Sequence, residues 1–277
     1  MIDMHLHSLY SDGELKVDEL SKRIKNANIT HAVLTDHDCI LGTTEFKDYC
    51  NNLDIKTIPG SELEAYYDLE NNRYLHMLCY NYQDSKELNR YLENLRNDRI
   101  IAINTAIKKL NNKGINVNFS DVTSMSCGRH LLLNHLCMYL EKVSLVKSRY
   151  VAYNMFMDKT SEYHIKYPKP NVIDSMKKIE EVGGISVLAH PKRILISKED
   201  LELYVEYLKK HGLSGIETYY GFNKTKETKF SKYLGEKYDL IQTIGSDWHC
   251  DSEGINFGNE FVLEKEQKVL RRRFFNE

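Results

Sequence analysis

The sequence is poor in the residues that interrupt regular structure and shows no clear excess of charge of either sign. Its 277 residues include only 4 prolines and 14 glycines, which excludes collagen-like and Pro/Gly-rich disordered chains. Its 38 Lys and Arg stand against 40 Asp and Glu, so a broad basic surface for a nucleic-acid backbone is not expected. A local basic pocket for one or two phosphates is compatible with this balance. With 42% hydrophobic residues, the composition is typical of a soluble globular protein.

The sequence also lacks paired cysteines, a secretion signal and a long apolar run. Its 6 cysteines include no Cys-x-x-Cys pair, and the chain is much longer than the small secreted scaffolds that depend on disulfides. The N-terminus, MIDMHLHSLYSDG, has no basic region followed by an apolar stretch. No uncharged apolar run is long enough to cross a membrane. We therefore expect a cytoplasmic protein with free thiols and no membrane partner.

Strand-like and helix-like segments alternate in both terminal thirds of the chain. The predicted strands are residues 2–7, 30–35, 55–64, 74–80, 184–189, 215–220 and 240–244. The helices predicted between them are residues 18–28, 43–51, 171–182, 200–211 and 224–238. Seven strands with intervening helices predict an α/β fold with parallel strands, arranged as an open sheet or as a barrel.

The middle third is predicted to be helical. The helices predicted there are residues 85–112, 129–141 and 143–158. The Pro168-Lys169-Pro170 segment ends this region, because proline disfavours helix at the residue before it. We therefore predict a helical insertion over residues 83–168, which interrupts a domain formed by residues 1–82 and 169–277.

Polar, potentially reactive side chains lie near the ends of nearly all predicted strands. They and their neighbours are His5 and His7, Ser11-Asp12-Gly13, Thr35-Asp36-His37-Asp38, Gly60-Ser61-Glu62, His76, Ala189-His190-Pro191 and Gly245-Ser246-Asp247-Trp248-His249. In a barrel, strand ends converge on one face, whereas the first and last strands of an open sheet usually lie too far apart to cooperate. The pattern therefore favours a distorted (β/α)7 barrel with the helical insertion.

The types and spacing of these residues predict a metal centre. His5 and His7 lie on one face of a strand, so both imidazoles can reach one metal ion at about 2.1 Å. Asp247 and His249 repeat this spacing after the last strand. Taken alone, His76 would be typical of a core histidine bonded to a backbone carbonyl. Imidazoles together with carboxylates suit Mn, Fe or Zn, whereas Mg and Ca favour oxygen ligands.

This ordered series of motifs resembles the PHP (polymerase and histidinol phosphatase) domain of metal-dependent phosphoesterases. The similarity covers most of the chain outside the insertion and rests on Asp3-Met4-His5-Leu6-His7-Ser8, Ser11-Asp12-Gly13, Thr35-Asp36-His37-Asp38, Gly60-Ser61-Glu62, His76-Met77-Leu78, Ala189-His190-Pro191 and Ser246-Asp247-Trp248-His249. It implies a distorted (β/α)7 barrel that binds two or three divalent metal ions. By this resemblance the ligands of the first ion are His5, His7, Glu62 and Asp247. Those of the second are Asp12, His37 and His249, and those of a third are Glu62, His76 and His190.

Within the family, the Ser11-Asp12-Gly13 motif and the inserted helices resemble the branch of nucleoside 3',5'-bisphosphate phosphatases and 5'-3' exoribonucleases. The resemblance implies hydrolysis of a phosphate ester of a nucleotide or of short single-stranded RNA, whereas long duplex nucleic acid is not expected. Arg129 and Arg193 are the predicted phosphate-binding residues, with Arg99 as a weaker candidate, because a guanidinium can hold phosphate through two N–H groups. A solvated arginine at a helix end is the alternative interpretation of Arg129.

The expected reaction is attack on phosphorus by a hydroxide that bridges two metal ions. The candidate catalytic residues that protonate the leaving hydroxyl are His190 and Asp247, and a metal-bound water is the alternative. Asp36 and Asp38 are expected to orient ligand histidines, and Glu217 either does the same or faces solvent. The insertion aromatics Tyr150, Tyr153, Phe156 and Tyr163 are predicted to form its own core rather than a nucleobase site.

Two other functions fit the same residues. One is a phosphatase for a small phosphomonoester such as histidinol phosphate. The other is a non-catalytic metal-binding or regulatory module, as when this domain forms part of a larger polymerase. Phosphate release from defined substrates distinguishes the enzymatic alternatives from the regulatory one.

Overall fold

The structure, a computed structural model, describes residues 1–68, 73–126, 130–194, 196–258 and 262–277. Strands and helices alternate over these residues, so the predicted α/β class is confirmed. The strands are β1 (Ile2–Leu6), β2 (His31–Leu34), β3 (Lys56–Thr57), β4 (Gly60–Asp68), β5 (Arg73–Tyr80), β6 (Ile185–Leu188), β7 (Gly215–Tyr220) and β8 (Ile241–Gly245). The helices are α1 (Val17–Asn26), α2 (Thr43–Asn52), α3 (Ser85–Asn112), α4 (Phe119–Met125), α5 (Leu133–Lys142), α6 (Arg149–Met157), α7 (Val172–Glu181), α8 (Lys198–Lys210), α9 (Thr225–Lys237) and α10 (Glu264–Phe274).

The strands form two sheets, and within the described ranges they do not pair into a closed barrel. One sheet has the order β1-β2-β3 and the other β4-β5-β6-β7-β8. Single bridges between Leu6 and Trp248, and between His37 and Glu62, connect them. The strand ends therefore do converge as expected, although the complete (β/α)7 ring is not confirmed.

The prediction of parallel strands throughout is wrong for β5. This strand pairs antiparallel with both β4 and β6, whereas β6, β7 and β8 are mutually parallel. Only the four residues 69–72 connect β4 to β5. A parallel pair needs a crossover of about a dozen residues, so this short connection requires a hairpin.

The predicted strand 55–64 is divided at Ile58 and Pro59. Its first part, β3, pairs with β2, and its second part, β4, pairs with β5. Proline has no N–H to contribute to a sheet. The Pro59 carbonyl instead accepts a hydrogen bond from the Asn81 backbone N–H at 2.8 Å. The division leaves Glu62 close to the start of β4.

The helical insertion has a hydrophobic core of its own, and α3 contributes to two cores. Leu88 and Leu92, in the first half of α3, pack in the core around β4 to β7. Ile103 and Leu110, in its second half, pack with α4, α5 and α6. We call residues 102–112 of α3 together with α4, α5 and α6 the cap. Among the helices that the structure describes, none combines the length and apolar character needed to traverse a lipid bilayer.

Candidate metal centre

Four buried donor atoms surround one point beyond the end of β1. The Nε2 atoms of His5 and His7 lie 3.1 Å apart. Glu62 Oε2 and Asp247 Oδ1 each lie 3.2 Å from both nitrogens. A regular tetrahedron of ligands at a metal distance of about 2.0 Å has edges of roughly 3.3 Å. These four side chains therefore have the spacing of a tetrahedral metal site.

The hydrogen bonding of these residues fits a cation. Glu62 Oε2 and Asp247 Oδ1 are buried and have no hydrogen-bond partner within the described part of the chain, and the same holds for Asp12 Oδ1. A buried carboxylate oxygen without a partner is costly, and native structures normally satisfy it. Because several such oxygens converge with imidazole nitrogens, a bound divalent ion would satisfy them together.

Two further groups adjoin the first and share residues with it. His7, Asp12, His37 and His249 form one group that can hold a metal ion, and His37, Glu62 and His76 form the other. In the former, Asp12 Oδ1 lies 3.4 Å from His249 Nε2 and 3.9 Å from His37 Nε2. The three groups overlap the predicted ligand sets, with His7 added to the second and His37 in place of His190 in the third.

Glu62 connects all three groups. Its Oε2 lies 3.1 Å from His37 Nδ1, in addition to its contacts with His5 and His7. Its Oε1 lies 2.9 Å from His76 Nδ1 and 2.8 Å from His190 Nε2. One carboxylate thus contacts five imidazoles. The resemblance implied His190 in the third site, and in the structure His190 bonds to the same Glu62 oxygen as His76.

Burial and neighbouring charges set the protonation states. Burial alone would raise the pKa of Glu62, but the adjacent histidines, His5 foremost, hold it well below its usual range. Burial lowers the pKa of His37 to about 3. For His249 the effect of burial is overcome by Asp12 and other acids, which raise its pKa to about 10. Ionised carboxylates and neutral imidazoles bind divalent ions, so binding at His249 releases a proton.

Glu217 orients two of the candidate site residues. It lies on β7, is buried, and accepts a hydrogen bond from His5 Nδ1 at 2.8 Å. Its other oxygen accepts from the His190 backbone N–H at 2.7 Å. A carboxylate behind a ligating imidazole fixes its tautomer and orientation. Of the two roles expected for Glu217, the structure favours orientation over exposure to solvent.

Asp36 and Asp38 were expected to orient ligand histidines, but their carboxylates form hydrogen bonds or ion pairs with other residues. Asp36 accepts hydrogen bonds from the Ser8 hydroxyl at 2.8 Å and from the Ser11 hydroxyl at 2.6 Å. Ser11 Oγ in turn lies 3.4 Å from His7 Nδ1, so the hydrogen bonding that connects Asp36 to that imidazole passes through the serine. Asp38 instead pairs with Arg99 at 2.5 Å.

Arg99 is fully buried, which rules out the weaker phosphate-binding interpretation. Its guanidinium contacts Asp38 and lies 3.5 Å from Glu64. Its Nε donates to the Pro168 carbonyl at 3.1 Å. Lys169, also buried, lies 3.5 Å from Glu64. Two cations and two carboxylates are therefore enclosed together where α3 meets β4.

Arg193 lies at the site, as predicted. Its guanidinium is 3.2 Å from Asp247 Oδ2 and lies over the rings of Tyr220 and Phe222. The Tyr220 hydroxyl donates to the same Asp247 oxygen at 3.1 Å. Asp247 thus has one oxygen held by two side chains and the other directed at His5 and His7. Arg129, the other predicted phosphate ligand, lies outside the described residues.

A cleft of about 960 Å³ separates the candidate metal ligands from the cap. One wall contains Asp12, His37, His76 and His249, and the opposite wall contains Asn134, Arg149, Tyr150, Tyr153 and Asn154. Asn134 reaches across and donates to Asp12 Oδ2 at 2.9 Å. These cap residues carry no recognisable motif, so sequence reasoning did not include them in the site.

The insertion aromatics divide between core and cleft. Phe156 is buried in the core of the cap, as predicted, and Tyr153 and Tyr163 pack against that core. The prediction is wrong for Tyr150, which is 69% exposed and lines the cleft. The spacing of four aromatics suggested one packed face, but α6 has an aromatic residue on more than one face.

An α/β scaffold with histidines and carboxylates converging at its strand ends defines a metal-dependent hydrolase. The family model described as "PHP domain" matches residues 3–241, so the chain belongs to the PHP family. It is accordingly a metal-dependent phosphoesterase, as predicted.

Characterised relatives align along nearly the whole chain at low identity. A 5'-3' exoribonuclease of Haemophilus influenzae is 24% identical over 94% of this chain and 94% of its own length. A phosphoribosyl 1,2-cyclic phosphate 1,2-diphosphodiesterase of Eggerthella lenta is 26% identical over 89% of this chain and 93% of its own. A 3',5'-nucleoside bisphosphate phosphatase of Chromobacterium violaceum is 23% identical over 91% and 88%.

The fold is also similar to that of a crystal structure from Bifidobacterium adolescentis. The TM-score is 0.81 at 22% identity, and the match covers 98% of this chain and 96% of the other. At this identity the likeness concerns the fold alone.

Proposed function

We propose that the protein hydrolyses a phosphate ester of a nucleotide or short oligonucleotide, as a 3',5'-bisphosphonucleotide phosphatase or a 5'-3' exoribonuclease does. The observation that carries the proposal is the shared Glu62 cluster at one wall of a cleft that is large enough for a nucleotide. Two relatives with nucleotide or RNA substrates in their names support the same substrate class.

We propose His5, His7, Glu62 and Asp247 as ligands of a first divalent ion, Asp12, His37 and His249 as those of a second, and His76 and His190 with Glu62 as those of a third. When bound, such ions lower the pKa of water and offset the charge of a phosphate. The mixture of nitrogen and oxygen donors favours Mn, Fe or Zn over Mg.

The remaining residues hold the metal ligands in position or bind the phosphate of the substrate. Glu217 holds the imidazole of His5, and Tyr220 holds the carboxylate of Asp247. Arg193, half exposed in the cleft, can turn a guanidinium N–H to a non-bridging phosphate oxygen. We propose His190 rather than Asp247 as the proton donor to the leaving hydroxyl, because the pKa of Asp247 is held well below its usual range, and substitution of His190 tests that role.

The direct test is phosphate release by the Mn-loaded protein. The substrates are a nucleoside 3',5'-bisphosphate, a 5'-phosphorylated oligoribonucleotide, histidinol phosphate and a phosphoribosyl cyclic phosphate. We expect turnover of the first or the second with the highest kcat/KM. A preference for histidinol phosphate, or no turnover of any phosphoester, would contradict the proposal.

The double variant His5→Ala with His7→Ala tests the metal assignment. We expect it to lose activity and bound metal while its circular dichroism spectrum stays unchanged. Full activity in this variant would disprove the assignment of the first metal site.

A further inference from the structure

Helix α6 presents one face to the cleft and another to the core of the cap. Tyr150, Tyr153 and Asn154 line the cleft at the spacing i, i+3 and i+4, which places them side by side on a helix. Ala152 and Phe156 point into the hydrophobic core instead. The cleft-facing side of α6 is therefore fixed in position by the packing of its opposite side.

The two cleft tyrosines differ in how firmly they are held. The Tyr153 hydroxyl accepts a hydrogen bond from Lys169 at 3.1 Å, and its ring lies 6.0 Å from that of Tyr74. Tyr150 is 69% exposed and lines the cleft. A flat aromatic ring exposed at a cleft is the kind of surface on which a nucleobase stacks.

Arg149 lies next to Tyr150 and also lines the cleft. Its guanidinium is 3.6 Å from Glu253, which is longer than a hydrogen bond, and its side chain is 42% exposed. A guanidinium has five N–H groups, so it can take a phosphate while remaining near Glu253. Asp158, which also lines the cleft, accepts hydrogen bonds from the backbone N–H and the hydroxyl of Thr160 through its Oδ1 atom.

We propose that Tyr150 and Arg149 form a distal nucleotide subsite, in which Tyr150 stacks on the base and Arg149 binds a phosphate that is not hydrolysed. This inference rests on the proposed function, because it assumes that the scissile phosphate lies at the opposite, histidine-rich wall. The cleft volume of about 960 Å³ accommodates a ligand that touches both walls.

The test compares Tyr150→Ala and Arg149→Gln on two substrates. The first substrate is adenosine 3',5'-bisphosphate, which has a base and two phosphates. The second is the adenosine monophosphate that retains only the phosphate released from the bisphosphate by the wild type. Tyr150→Ala should raise KM about 10-fold for both. Arg149→Gln should raise KM about 10-fold for the bisphosphate alone. In both variants kcat should change little, because neither side chain contacts the reacting atoms.

Inhibition by inorganic phosphate supplies a probe without a base. Its inhibition constant should stay within about twofold of the wild-type value in both variants, since phosphate alone binds at the histidine-rich wall of the cleft. The matched controls are Tyr207→Ala and Arg272→Gln, two exposed residues on α8 and α10 that do not line the cleft. Both should leave every constant unchanged.

The outcomes separate the two proposals. If the wild type turns over nucleotides and both variants keep the wild-type KM, the subsite is disproved while the proposed function stands. If the inhibition constant for phosphate and the KM rise by the same factor in a variant, the subsite is also disproved, because this would indicate general damage to the site. If the wild type turns over no nucleotide, both proposals fail.

Discussion

At the scale of single residues, the candidate metal centre depends on side chains that are not themselves among the candidate ligands of the first ion. Glu217 contacts His5 through one oxygen and the His190 backbone through the other, so it links β1 to the end of β6. Asp247 is fixed in a comparable way by Tyr220 and Arg193. Such partners limit how far the ligand atoms can move when a metal ion dissociates.

Replacing Glu217 should weaken metal binding without unfolding the protein. Glu217→Gln keeps the shape of the side chain but removes the charge that holds the His5 imidazole. Loss of such a partner typically costs about 10- to 100-fold in metal affinity. Titration with Mn and metal analysis after dialysis measure the effect. Glu236→Gln, an exposed change on α9, is the control, and equal metal affinity in the two variants would contradict the assignment.

Replacing Arg99 should destabilise the protein strongly. Arg99→Met removes the guanidinium that pairs with buried Asp38 and lies near Glu64, leaving Lys169 as the nearby lysine or arginine. Breaking a buried ion pair from one side costs about 3–5 kcal/mol in the free energy of unfolding. Urea unfolding measures the loss. Arg90→Met, on the same helix but in an exposed pair with Glu87, should change little, and a similar loss in both variants would argue against the role of Arg99.

At the scale of secondary-structure elements, the close approach of β8 to β1 positions the first cluster. A Cβ atom added at Gly245 would lie 2.2 Å from the Cβ of His5 and 2.5 Å from Glu217 Oε1. Only glycine permits this distance, so the Gly245-Ser246-Asp247 segment can deliver Asp247 beside His5. The backbone at Asp247 is also in the left-handed region, with φ of 59°. Both features are compatible with strain held at a functional site.

Gly245→Ala should therefore reduce both stability and metal affinity. Overpacking of this kind typically costs about 1–3 kcal/mol, and here it also displaces the imidazole of His5. Thermal unfolding and Mn titration measure the two effects. Gly114→Ala is a useful comparison, because Gly114 has φ of 81° with no atom near its Cβ position. It should lose stability through backbone strain but bind metal normally.

Several elements could be predicted from the sequence because their patterns are local. Helix α3 has the predicted bounds, and β1, which contains His5 and ends one residue before His7, follows from strict alternation. The hairpin of β4 and β5 was missed, although the predicted strands 55–64 and 74–80 left too few residues for a crossover. The length of that connection was thus a usable signal. Strand direction elsewhere depends on contacts far apart in sequence.

The cap wall of the site could not be predicted in the same way. Asn134 and Arg149 belong to no motif, and their place beside Asp12 and Glu253 depends on how the cap packs over the strand ends. Tyr150 has the same helical spacing as core aromatics. The ligand histidines could be predicted from the sequence because their chemistry is distinctive and their positions at strand ends are regular.

At the scale of the whole molecule, a near-zero net charge conceals an uneven distribution. The metal wall contains the ionised Asp12, Glu62 and Asp247, whose pKa values are all held well below their usual range. The Lys and Arg count omits the positive charge that bound ions would add at this wall. The overall balance of -2 is not the broad basic excess that binding of long duplex nucleic acid normally requires.

Removing the metal ions should destabilise the folded protein. Ions that bind only the folded state stabilise it by about 2.7 kcal/mol for each site at 100-fold excess over Kd. For a protein of this size, chelation should lower Tm by roughly 5–10 °C per site. Differential scanning calorimetry with EDTA and then with excess Mn measures the shift and its reversal. The His5→Ala, His7→Ala variant should shift less, and an equal shift would place the stabilising ion elsewhere.

Helix α3 has a consequence for how this protein can be re-engineered. Its first half packs with the catalytic domain, its second half packs with the cap, and Arg99 lies between them. A continuous helix of 28 residues has no hinge at which the cap could be detached. A chimaera that exchanges caps between relatives should therefore transplant α3 whole, including its arginine, or supply a new partner for Asp38. Through α3, the packing of the cap and the packing around β4 to β7 are therefore coupled in one helix.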